Sequence, residues 1–220
     1  MVSCAFDLDA YQAVIFDMDG TLLDSAEAIR QVCSRWCAIH QLDVEQVLAM
    51  CHGSRIRDFL PELAPHLDAD LEEAWLNAEE AEETNGIVPI EGAHAMLRLL
   101  EQRGTHWGIA TSSAGPVARM RLGTVGFPIP QVLITAEYVK RGKPDPEHFE
   151  LAAKHLNAEP DRCLAFEDSA NGVAAALAAG CDVVVVGEAG QYLYPQHQRI
   201  VGRISDYQSI LAVIEQVGVR

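Results

Sequence analysis

The stretch AFDLDAYQAVIFDMDGTLL (residues 5–23) carries Phe-Asp-x-Asp twice, at Phe6-Asp7-Leu8-Asp9 and at Phe16-Asp17-Met18-Asp19. Only the second copy follows an apolar, β-prone run, Ala13-Val14-Ile15-Phe16, which reads as a buried strand. Only the second is followed by Gly20-Thr21. Glycine there permits a tight turn and a close backbone approach, and the threonine hydroxyl can hydrogen-bond the turn. The first copy runs into Ala10-Tyr11 and reads as surface. Asp17 and Asp19 are therefore the pair expected to act, at the end of a strand.

Working outward, residues 25–40 place Ile29, Val32, Cys33, Trp36 and Cys37 at helical spacing. The chain stays helical in character to residue 83, with Pro61 and Pro65 as breaks, and NGIVPIEG (residues 85–92) reads as a linker. Helices and strands then alternate. A helix over 93–102 is closed by Gly104, a strand spans 106–110, and Pro116 opens a helix to about residue 125. A strand at 132–135, a helix at 146–156 and a strand at 163–166 follow. Ser169 caps an alanine-rich helix that ends at Gly180, and four valines form a strand at 182–186. Ser205 or Asp206 starts a last helix to about 217. This succession predicts an α/β fold, a doubly wound parallel sheet. The core comprises residues 1–24 and 89–220, and residues 25–88 are inserted as a small α-helical bundle, a cap.

Composition limits the partners. The 220 residues carry a net charge of −16, which repels nucleic acid and anionic membranes. No apolar run is long enough to span a bilayer, and the N-terminus lacks the basic start and apolar stretch of a secretory signal. A cytoplasmic protein is expected, monomeric or a small homo-oligomer. The six cysteines form no CxxC pair and read as small buried thiols. Eight of the sixteen residues from 68 to 83 are acidic, which reads as a solvated helix face. An anionic substrate therefore needs locally concentrated positive charge, and the chain has only three lysines, Lys140, Lys143 and Lys154.

Ligands of doubly wound sheets bind beyond the carboxyl ends of the strands. Those ends carry Asp17, then Thr111-Ser112-Ser113, then Lys143 in KRGKPDP, then Glu167-Asp168. A lone aspartate at a strand end is usually a turn residue, a lone TSS a helix start, and a lone KPDP a turn. All four in order supply carboxylates for a hard cation and a lysine to offset phosphate, as phosphoryl transfer requires.

FDMDGTLLDS, with the ordered Thr111, Lys143 and Glu167-Asp168, resembles the signature of the haloacid dehalogenase-like hydrolase superfamily over residues 13 to about 190. The helical insertion resembles the small cap of its β-phosphoglucomutase and sugar-phosphatase branch. The resemblance implies a Rossmann-like core and a Mg²⁺-dependent phosphatase acting on a small phosphorylated sugar or polyol. Asp17 is implied as the nucleophile that forms an aspartyl-phosphate, and Asp19 as the acid and base. Asp17, the Asp19 carbonyl, Asp168 and Glu167 are implied as Mg²⁺ ligands, Glu167 directly or through water. Thr111 and the Ser112 amide would hold the phosphoryl oxygens, and Lys143 would neutralise charge.

Within the superfamily, Asp19 argues against a haloacid dehalogenase, and the absence of lysine before Lys140 argues against a cap Schiff base. Ile29 and Ile56 stand where a β-phosphoglucomutase has histidine and arginine, so phosphatase ranks above mutase. A catalytically silent binding module ranks last, since every motif residue is present. CHGSRIRDFL (residues 51–60) is the expected specificity loop, with His52, Gly53, Arg55 and Arg57 facing substrate. Ser113 is given only a helix-start role, Arg119 is placed near the site or at the surface, and Tyr192 and Tyr194 read as partly buried aromatics.

Overall fold

Ala13–Phe16 form an interior strand of the sheet, every residue fully buried. The computed structural model describes residues 3–4, 7–187, 193–194 and 196–211. In chain order, β1 (Ser3–Cys4), β2 (Ala13–Phe16) and β3 (Leu23–Asp24) lead into four helices. These are α1 (Ala26–His40), α2 (Val44–Cys51), α3 (Ile56–Leu63) and α4 (Ala69–Glu82). The chain returns through β4 (Val88–Pro89), α5 (Ala93–Arg103), β5 (His106–Ala110), α6 (Gly115–Thr124) and β6 (Val132–Ile134). It continues with α7 (Glu147–His155), β7 (Cys163–Glu167), α8 (Ala170–Ala179), β8 (Asp182–Val186) and β9 (Ile200–Ile204).

The sheet order is β1-β9-β8-β7-β2-β5-β6, parallel except for β1 at the edge. Side chains alternate across it. Val14, Phe16, Phe166 and Val184 pack with α5 and α6 on one face. Ala13, Ile15, Ala165 and Val183 pack with α7 and α8 on the other. Burial on both faces explains why these strands read as continuous apolar runs. β5 and β7 flank β2, so the strand order reverses at β2 and opens a crevice beyond its carboxyl end.

Helices α1 to α4 bury their own cluster around Val32, Trp36, Val47, Phe59, Leu60 and Leu76. Trp36 donates its indole N–H to Glu72 at 2.7 Å, so the acidic run is not wholly a solvated face. Among the described residues, no helix is long and apolar enough to cross a membrane.

Some expectations need correction. Pro61 lies inside α3 rather than breaking it, because only one hydrogen bond of a short helix is lost while Phe59 and Leu60 stay buried. The linker at 85–92 holds β4, paired antiparallel with β3 where the chain leaves and re-enters the core. β1 and β9 extend the sheet, and β9 is irregular in sequence because Gly202 interrupts its apolar run. The last helix starts as expected, with Asp206 Oδ1 accepting from the Ser209 amide at 3.3 Å, and its course beyond 211 lies outside the described residues, as does Tyr192. Tyr194 is exposed rather than partly buried. Asp7 accepts from the Asp9 amide at 3.0 Å in an exposed turn, as the surface reading of the first Phe-Asp-x-Asp expects.

Candidate active site

The carboxyl end of the sheet gathers the strand-end residues into one buried group. Asp17 follows β2, Glu167 ends β7, Asp168 follows it, and Lys143 lies in the segment after β6. Lys143 Nζ donates to Asp17 Oδ1 and to Glu167 Oε1, both at 2.6 Å. Burial opposes the lysine's charge, yet the carboxylates of Asp17 and Glu167 hold its pKa above the ordinary value. Burial pushes Asp17 well above the usual carboxylate range; Lys143 opposes that, and Glu167 and Asp168 add to it. The group thus carries three carboxylates and one ammonium, and it stores electrostatic repulsion that a cation would relieve.

Asp17, Glu167 and Asp168 each offer an oxygen within 4.8 Å of the others, the one such group of metal-ligating type among the described residues. Glu167 is already engaged on both oxygens. Oε1 holds Lys143, while Oε2 accepts from the Asp168 and Ser169 amides at 2.8 and 2.9 Å at the start of α8. These bonds make it a strut under Lys143, while Oε1, with Lys143 as its hydrogen-bond partner, keeps a second lone pair towards the carboxylate group. Asp168 Oδ1 accepts from Thr21 Oγ1 at 2.9 Å, so Thr21 reaches across to the neighbouring strand end rather than closing its own turn. Gly20, at φ +86°, has no room for a Cβ beside the Asp168 carboxylate.

Asp19 has a different environment two residues away. Its Oδ1 accepts from Ser25 Oγ at 2.6 Å and Arg121 Nη1 at 2.8 Å, and its Oδ2 from Ser113 Oγ at 2.7 Å. Ser25 stands at the N-cap of α1 but makes no side-chain cap bond, its hydroxyl being given to Asp19. Thr111 and Ser112 follow β5 and line the same cavity as both aspartates. The Ser112 hydroxyl donates to the Gly53 carbonyl of the cap loop at 3.2 Å.

That cavity, of about 390 Å³, lies between core and cap, a size suited to a small metabolite. Its cap wall is largely apolar, from Ile29, Trp36, Val47, Leu48 and Leu76. His52 reaches Asp168 Oδ2 at 3.3 Å, a contact that raises the histidine's pKa. Gly53 passes directly over Ser169. Arg55 is not free to bind substrate. It pairs with Asp58 at 2.8 Å and donates to the carbonyls of Ala136, Val139 and Lys140, so it fastens the cap to the core. Arg57 is outside the cavity lining, turned to Asp70 and Glu73 of α4. Cap helix α3 points Arg57 outward while the loop before it points inward, a difference that the sequence spacing does not carry.

The sequence reading left Arg119 near the site or at the surface and passed over Arg121. Arg119 is exposed, whereas Arg121 is 1% exposed and reaches Asp19. The available signal was helical spacing, since Arg121 falls on the buried stripe of Val117, Ala118 and Leu122. Ser113 and Ser25 were likewise missed as partners of Asp19.

His148 of α7 lies fully buried near Lys143, its ring nitrogens without a well-placed hydrogen-bond partner. Burial first, then the charges of Lys143 and Arg55, push its pKa down to about 3, with the Thr111 backbone a lesser influence in the opposite sense. Below its ordinary value near 6.5 the unfolded chain binds a proton that the folded protein refuses. The contribution is therefore intact above that value and declines as pH falls. Urea unfolding at pH 7 and pH 5 should show the native protein losing about 2 kcal/mol more than His148→Leu. Equal losses would contradict a neutral buried imidazole.

The family model for haloacid dehalogenase-like hydrolases matches residues 11–180. The chain belongs to that family. Hexitol phosphatase A of Escherichia coli (strain K12) is 38% identical over 93% of this chain and 92% of its own length. Fructose-1-phosphate phosphatase YqaB of the same strain is 30% identical over 81% of this chain and 97% of its own. The crystal structure of a hydrolase from Pseudomonas syringae superposes with a TM-score of 0.76 at 25% identity, covering 94% of this chain and 99% of that one. Within the family this chain is a phosphatase.

Proposed function

We propose that the chain hydrolyses small phosphorylated sugars or polyols through an aspartyl-phosphate on Asp17, with Mg²⁺ at the carboxylate group. The observation that carries this reading is the contrast between two aspartates of one turn. Asp17 is held among carboxylates by Lys143, and Asp19 is held by two hydroxyls and an arginine, both facing one cavity.

Asp17 attacks phosphorus as a carboxylate and needs no activating base. The bond from phosphorus to the alcohol oxygen breaks as Asp19 gives that oxygen its proton. Asp19 then takes a proton from the water that attacks the aspartyl-phosphate, which frees phosphate and restores Asp17. Thr111 and the Ser112 amide would hold the phosphoryl oxygens, and Lys143 offsets charge on Asp17 and phosphate. Hard carboxylate oxygens in a buried, net-negative group suit Mg²⁺. Asp17, Asp168 and the Asp19 carbonyl would hold it. When bound, it supplies charge neutralisation and orientation of the phosphoryl group.

Two relatives named for hexitol and fructose 1-phosphate support the substrate class. A mutase must hold a second phosphate, but the arginines that line the cavity are all paired. Arg30 is with Glu45, Arg55 with Asp58, and Arg121 with Asp19 and Glu80. This favours hydrolysis over phosphosugar isomerisation. The five cysteines free among the described residues fit the reducing cytoplasm in which we place the activity.

Phosphate release from hexitol, hexose and glycerol phosphates, with Mg²⁺ and after EDTA, tests the reading. Release that requires the metal and ranks six-carbon esters first is expected. Release indifferent to EDTA, or none from any ester, would contradict it.

A further inference from the structure

The scheme above gives Arg121 no step of its own, yet the fold buries its guanidinium beside Asp19. It stands on the apolar stripe of α6, its Nε buried without a hydrogen-bond partner. A buried ion pair is a poor source of stability, and an unpaired buried donor is a further penalty. Such an arrangement points to a role in function. Nη1 donates to Asp19 Oδ1 at 2.8 Å and to Ser113 Oγ at 3.1 Å. Nη2 donates to Glu80 Oε2 at 2.8 Å, and Glu80 belongs to cap helix α4.

Asp19 must present its carboxyl to the leaving alcohol and then to the attacking water. Of its three partners, Ser25 and Ser113 are hydroxyls that rotate and can accept as well as donate. Arg121 is the partner with fixed, planar donors. Its second nitrogen is fixed in turn only while α4 is seated over α6.

We propose that Arg121 is a positioning residue for Asp19, and that Glu80 holds Arg121 in place when the cap is seated, so that closure aligns the proton-transfer group. This rests on Asp19 being the acid of the reaction proposed above.

A series of aryl phosphates, from 4-nitrophenyl phosphate to phenyl phosphate, separates positioning from packing. The esters share one body without sugar hydroxyls and differ in how much the departing oxygen needs a proton. The quantity read is kcat/KM, which reports steps up to release of the alcohol. In Arg121→Met it should fall on the order of 100-fold for phenyl phosphate and about tenfold for 4-nitrophenyl phosphate, a steeper leaving-group slope. Glu80→Gln leaves the core stripe intact, and it should steepen the slope in the same direction by less. Equal falls for every ester, with the native slope kept in both variants, would overturn the proposal and leave Arg121 a packing residue. Native protein that releases phosphate from no ester would instead overturn the phosphatase scheme, and this proposal with it.

Discussion

Asp17→Asn is expected to lower phosphate release from every ester on the order of 10⁴-fold or more, while the protein stays folded. The amide keeps the shape of the carboxylate and can still accept from Lys143, so the site is preserved in outline. It cannot form the acyl-phosphate, because an amide oxygen lacks the charge that attacks phosphorus. The same change should make the protein more stable in the absence of divalent cations. Burial holds the Asp17 pKa above its unfolded value, with Glu167 and Asp168 adding to the rise and Lys143 opposing it. A carboxyl raised in this way favours folding at low pH, and it loses that contribution as pH rises and the folded protein must ionise it. At pH 7 the asparagine avoids this cost, and a gain of about 1 kcal/mol is expected. Phosphate release together with urea unfolding checks both halves. An Asn variant that is inactive because it is unfolded would contradict the account, as would one that keeps activity.

Gly172→Ala is expected to destabilise the fold by about 4 kcal/mol, among the larger effects of a single methyl group. Gly172 lies in the first turn of α8, and a Cβ there would overlap the Glu167 carboxylate. That carboxylate is fully buried and tied to Lys143, two backbone amides and the Ser169 hydroxyl. It has nowhere to move without leaving Lys143 or the start of α8 unpartnered. Thermal unfolding measures the loss, and a variant as stable as the native protein would show that Glu167 has freedom the geometry denies it. Because Glu167 supports Lys143, a variant that does fold should lose activity as well.

The strand ends were legible because each core strand is an apolar run on both faces, which marks its last residue clearly. Asp17, Lys143, Glu167 and Asp168 could thus be placed at one end of one sheet before any geometry was known. What the sequence hid depends on which way a helix turns. Arg119 and Arg121 differ by two positions, and only the buried stripe of α6 decides which reaches Asp19. Arg55 and Arg57 differ by the same amount, one fastening the loop to core carbonyls and the other facing α4. Glu80 was lost in an acidic run that reads as one solvated face, although of its other members only Asp68, Asp70 and Glu82 are exposed. Ser25 drew no notice beyond opening a helical stretch, since a hydroxyl's partner 6 residues upstream leaves no local signature. The hairpin of β3 and β4 joins residues 23–24 to 88–89, and pairing at that separation has no pattern in short strands.

The central claim is a covalent phosphoryl group on Asp17. Native protein mixed with hexitol phosphate and Mg²⁺, quenched in acid within one turnover and reduced with borohydride, would carry homoserine wherever an acyl-phosphate had formed. Peptide mass spectrometry should find homoserine at position 17 and aspartate unchanged at position 19. Phosphate released at full rate with residue 17 unreduced, or with the reduction at another carboxylate, would contradict the account.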